Sequence, residues 1–92
     1  MNNKIVTYIS FALKSGKVIF GMDDIIKSKK NIGAILYKKD LSEKNLNKIK
    51  DKKNMPCLLL TEELDSFERL KGVKVIMITD KNLSDAIVSN AK

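Results

Sequence analysis

Four short apolar stretches, spaced along the chain and separated by segments of helical periodicity, set the limits on what this sequence can fold into. They are Val18–Phe20, Ala34–Tyr37, Cys57–Leu60 and Val73–Ile78. Each is of strand length, and Ala34–Tyr37 is apolar without a break, as expected of a strand covered on both faces. The segments between them read as helices. In Asn3–Lys14, residues Ile5, Ile9, Ala12 and Leu13 form one apolar stripe, closed by Ser15-Gly16. A second helix is expected from Met22 to Lys29 or Lys30. A third is capped by Asp40 or Ser42 and turns Leu46 and Ile49 inward; with Asp40 as the cap, Glu43 completes a capping box. Lys44, Lys48 and Lys52 recur every four residues on another face of it, the pattern of a solvated face. Thr61 is expected to cap a short acidic helix. Glu68–Gly72 reads as a loop, and Thr79 or Asp80 caps a last helix that buries Leu83, Ala86 and Ile87. Strands alternating with helical crossovers imply an α/β sandwich with a largely parallel sheet.

The length of 92 residues suits a single domain, residues 1–92, with one compact core. No apolar run approaches the ~20 residues of a membrane span, so no membrane partner is expected. No secretory signal opens the chain. Cys57 is the only cysteine, which excludes an intrachain disulfide and fits a reducing, cytoplasmic setting; within its apolar run it reads as a buried, inert thiol. Histidine is absent. That removes the commonest general base and the commonest metal ligand, so neither an enzyme nor a metal or cofactor site is expected. The net charge of +7 is unevenly placed: residues 1–53 hold 13 lysines against five acids, while residues 54–92 are close to neutral. Such asymmetry points to a polyanionic partner. Abundant Asn and Ile beside Lys also fit a compositional bias, so charge alone does not decide the matter.

The densest local signal is Ser15–Lys27, S-G-K-V-I-F-G-M-D-D-I-I-K. Gly21 breaks a brief strand, Lys17–Phe20, and lets the chain turn. Asp23 and Asp24 stand at the start of the next helix, where acidic side chains are favoured, and Lys27 follows four and three residues later, on the same face. A helix opened by glycine with lysines nearby is a phosphate-binding arrangement. An ordinary strand–turn–helix corner, with the aspartates merely capping, accounts for the same letters.

This stretch, together with the order of elements and the chain length, resembles the kink-turn RNA-binding ribosomal protein family, and most of all its short bacterial, YlxQ-like members. The family's G-x-N-E-x-x-K motif is matched in register by Gly21-Met22-Asp23-Asp24-Ile25-Ile26-Lys27. The run Ala34–Asp40 matches its apolar strand ending near an acid, and Val73–Leu83, with Thr79-Asp80, matches its last strand and helix. The likeness runs from about Ile5 to Ile87 and rests on combined order and spacing. It implies a three-layer α/β/α sandwich with a four-stranded mixed sheet. It also implies binding to a sharply bent RNA internal loop with sheared G·A pairs, the second helix entering the widened groove at the bend. By position, Gly21 lets backbone approach phosphate, and Asp23, Asp24 and Lys27 face the guanines. Lys17, Lys27, Lys38 and Lys39 are the expected phosphate contacts, and Arg69, Leu70, Lys71 and Val73 supply basic and apolar ones.

The sequence departs from that pattern in three places, one of them Asp24, which is a methylene shorter than the usual Glu. Asp23 stands where an amide is usual, and a carboxylate accepts hydrogen bonds but donates none. The family's glycine-containing loop is replaced by Leu64-Asp65-Ser66-Phe67-Glu68-Arg69. The expected partner is thus structured RNA, ribosomal RNA included, bound by a monomeric cytoplasmic protein with no DNA specificity. The other reading is a protein-interaction adaptor of the same fold with weak or lost RNA specificity.

Overall fold

The computed structural model describes residues 1–91. The described elements follow in the order α1 (Asn3–Lys14), β1 (Val18–Phe20), α2 (Met22–Lys27), β2 (Ala34–Tyr37), α3 (Glu43–Lys52), β3 (Cys57–Leu59), α4 (Thr61–Asp65), a single 3-10 turn (Glu68–Leu70), β4 (Val75–Ile78) and α5 (Lys81–Ala91). The four strands form one sheet in the order β1-β4-β2-β3. β2 and β3 pair in parallel, whereas β4 runs antiparallel to both of its neighbours. The largely parallel sheet expected from alternation is therefore corrected to a mixed one, as the family resemblance implied. The cause lies in connection length. The ten residues of α3 span ~15 Å, enough to carry the chain back along the sheet, whereas the five of α4 span only ~7 Å. After β3 the chain stays at one end of the sheet, so β4 starts there and runs back between β1 and β2.

The two central strands are buried on both faces, which explains their unbroken apolar character. Ala34, Leu36, Ile76 and Ile78 pack with Ile5, Ile9, Ala12 and Leu13 of α1, Leu64 of α4 and Ile87 of α5. The alternate residues Ile35, Val75 and Met77 point the other way, onto Ile25 of α2 and Ile49 of α3. Helices thus cover both faces of the sheet, with α1, α4 and α5 on one side and α2 and α3 on the other. No described helix is long and apolar enough to cross a membrane.

Several boundaries differ from the sequence expectations, each for a local reason. Ser42, not Asp40, caps α3 by accepting from the Asn45 amide, so Glu43 is the first helical residue and no capping box forms. Thr61 does not cap α4; it lies inside the helix, and its hydroxyl accepts from the Lys39 amide at 2.9 Å. α2 stops at Lys27 because Ser28 is extended, and the buried Lys53 ammonium takes the carbonyls of Ser28 and Lys30 that a longer helix would use. β4 begins at Val75, which leaves Val73 and Lys74 in the approaching loop. Asp80 does cap α5, accepting from the Leu83 amide at 2.9 Å. Gly33 enters β2 with φ +119°, and a Cβ there would lie 1.7 Å from the Ile78 carbonyl oxygen, so close approach and a positive φ both require glycine.

Candidate nucleic-acid interface

The strand directions gather four chain segments at one end of the sheet. Gly21 leaves β1 there, Lys38–Asp40 leave β2, Leu60-Thr61 leave β3, and Val73-Lys74 enter β4. Gly21 has φ 82° and ψ 154°, a combination open essentially to glycine alone. Its amide donates to the Val75 carbonyl at 3.0 Å, and its own carbonyl accepts from Ile25, starting α2. With only six residues, α2 is less than two turns long and cannot hold itself together; Ile25, fully buried, anchors it to the sheet. Its dipole is correspondingly small. The end of so short a helix therefore offers an anion little by itself.

Between this corner and the loop before β4 runs an open groove of about 350 Å³. Phe20, Gly21 and Met22 form one wall, Gly72 to Val75 the other, and Leu41 and Asn45 from the start of α3 complete it. On the far side of the Gly72–Lys74 loop lies a second hollow of about 330 Å³, bordered by Lys39, Lys71 and Lys74 with Asp40 and Asp65. The loop is shared by the two, so groove and basic hollow form one continuous surface. Asp23, Asp24 and Lys27 are all exposed, and none is within 4 Å of an opposite charge among the described residues.

The structure divides the candidate residues. Gly21 and Val73 line the groove, and Lys38, Lys39 and Lys71 border the hollow beside it; Lys71 also reaches Glu68 at 3.1 Å. Asp23, Asp24 and Lys27 stand free on α2. Lys38 is a correction. It is 6% exposed, and its ammonium is already committed to the Leu70 carbonyl and the Asp65 carboxylate, each at 2.8 Å. Leu70 is a second correction: it is fully buried in the core and offers no apolar contact to a partner. Lys17 is a third. It precedes β1, at the opposite end of the sheet from Gly21, four extended residues or ~13 Å away. Arg69 is exposed, but it is turned toward the end of α1, its guanidinium 5.7 Å from the Phe20 ring centre and its Nη1 donating to the Leu13 carbonyl at 3.4 Å.

Lys74 and Asn45 join the surface without having stood out in the sequence. Lys74 borders both groove and hollow, and Asn45 brings the only side-chain amide into the groove lining. Lys74 is masked by its place inside an apolar stretch that reads wholly as strand, and Asn45 by the lack of any motif around it. The lone thiol lies elsewhere. Cys57 is half-buried on the edge strand, its Sγ 3.7 Å from the Met55 carbonyl, and burial pushes its pKa up, partly countered by nearby Lys50.

Set beside known proteins, the chain matches no protein-family model, and no curated protein matches it.

Proposed function

We propose that this domain binds structured RNA containing a sharp, kink-turn-like bend, with ribosomal RNA the first candidate, as a monomeric component of a cytoplasmic ribonucleoprotein. The observation that carries the reading is the continuous surface at one sheet end, where the Gly21 corner and the Gly72–Val75 loop enclose an open groove. Lys74 borders the groove, Lys39 and Lys71 border the hollow that adjoins it, and Lys27 is exposed at the far end of α2. Lysines there attract phosphate and make affinity salt-dependent, while exposed backbone, a side-chain amide and carboxylates suit base edges that a bend has unstacked. Asp23 and Asp24 take the part of acceptors for guanine amino groups. On this reading the domain acts by binding alone. The test is titration of a labelled kink-turn hairpin against a control with disrupted G·A pairs, at two salt concentrations. The bent RNA is expected to bind at least about tenfold more tightly, a preference of about 1.4 kcal/mol. Equal, weak binding of both would refute the proposal.

The adaptor reading draws on one specific observation: Asp23 and Asp24 form an exposed, uncompensated acidic pair beside the groove. It predicts that Asp23→Asn does nothing for RNA binding, whereas the RNA reading predicts tighter binding once an amide donor replaces the carboxylate.

A further inference from the structure

A second cationic surface lies behind the groove, at the other end of α2. Lys27 closes that helix, and Lys29 and Lys30 follow in the loop. α3 packs alongside, and its exposed Lys48 and Lys52 border a shallow hollow with Ile26 of α2. Beneath the loop Lys53 is 3% exposed, and its ammonium donates to the carbonyls of Ser28 and Lys30. The loop that presents Lys29 and Lys30 is therefore pinned from below by a buried cation. None of these six lysines is within 4 Å of a carboxylate among the described residues, and Asp51 is the one acid bordering the hollow. Like charges that outnumber the single nearby carboxylate of Asp51 raise the local potential and favour an extended anion on that face. The four-residue lysine repeat on α3, read from sequence as a merely solvated face, joins this patch through Lys48 and Lys52.

We propose that the α2–α3 face is a second docking surface, on which Lys29, Lys30, Lys48 and Lys52 hold the phosphate backbone of a duplex RNA stem leaving the groove along α2. The inference rests on RNA being the partner. The six residues of α2 span ~9 Å, so the patch begins one short helix away from the groove, within reach of the same stem. A duplex is the occupant that fits, because its phosphates present a dense, regular line of charge, and the patch supplies cations without the stacking surfaces that single strands use.

The experiment compares the parent with a variant carrying Lys29→Ala, Lys30→Ala, Lys48→Ala and Lys52→Ala. Each is titrated with a kink-turn hairpin bearing a long stem and with the same hairpin cut to a short stem. The parent is expected to bind the long-stem RNA more tightly, and the variant to lose that advantage while keeping its affinity for the short one. On the long stem the slope of log Kd against log salt should fall by roughly two to four, at about 0.9 for each phosphate no longer neutralised. An unchanged slope, or equal weakening on both RNAs, would overturn the proposal. A long-stem RNA with disrupted G·A pairs separates the two readings: if the parent binds it as well as the bent one, the groove reading fails, and the stem-length advantage, present in the parent and absent in the variant, still stands for the patch.

Discussion

Gly33 and Gly21 both have positive φ, yet alanine at the two positions should have different consequences. At Gly33 the added Cβ would sit 1.7 Å from the Ile78 oxygen and 2.9 Å from its carbon, both backbone atoms of a paired strand. A normal carbon–oxygen contact is about 3.3 Å, so the chain must shift by roughly 1.5 Å. The shift falls where Ala34 pairs with Ile78, both wholly buried. Losing one sheet hydrogen bond costs about 1 kcal/mol and backbone strain a further 1–3, before any core residue is displaced. A total near 3 kcal/mol lowers Tm by at least about 12 °C in a domain of this size. At Gly21 no heavy atom lies within 4 Å of the added Cβ, so only the strain remains, about 1–3 kcal/mol. Thermal melts followed by circular dichroism, with urea titrations as a second measure, compare the two. Gly33→Ala should be the less stable protein, yet below its melting temperature it should bind RNA like the parent, because it lies at the far end of the sheet. Gly21→Ala should melt higher and bind worse. Equal melting losses, or a milder effect at Gly33, would refute the steric argument.

Lys27→Ala should weaken binding to a kink-turn hairpin and lower its salt slope by about one, whereas Lys17→Ala should leave both near the parent's values, since Lys17 stands at the wrong end of the sheet. Lys38→Met should change stability by less than about 1 kcal/mol in a urea titration, because Asp65 is exposed enough to rehydrate and the Leu70 carbonyl keeps the Val73 amide. Lys38→Ala should cost more, through the cavity it leaves. Burial raises the Cys57 pKa above its ordinary value, so at pH 8 the folded protein holds less thiolate than the urea-unfolded chain and should react more slowly with a thiol reagent; a faster folded-state reaction would contradict that placement. The same shift means the thiol's contribution to stability is whole below the ordinary pKa and is lost as pH rises through the raised one.

Most of the fold was legible because apolar periodicity reports burial directly. Ala34–Tyr37 and the stripe Ile5, Ile9, Ala12, Leu13 lie where their patterns placed them. Strand direction was not legible from alternation alone, since it turned on whether the short segment Thr61–Asp65 could carry the chain back across the sheet. Competition among caps was equally hidden: Ser42 and Asp40 are both good helix starters, and only the turn ending at Leu41 decides between them. The candidate surface was half legible. Gly21 announced itself by breaking a strand. Lys38 and Lys53 did not, because a buried lysine is spelled like an exposed one, and only packing reveals that its charge is spent on backbone carbonyls.

The bond from the Gly21 amide to the Val75 carbonyl joins the two walls of the groove where they leave the sheet, in line with the ladder that pairs β1 with β4. The groove is therefore clamped where its walls meet the sheet. Parting the walls at that point would first have to break this bond and then the ladder behind it. On the RNA-binding reading proposed above, shape selection then rests with the guest: an RNA already populating the bent form would seat at once, and one that must be bent on arrival would bear the distortion itself.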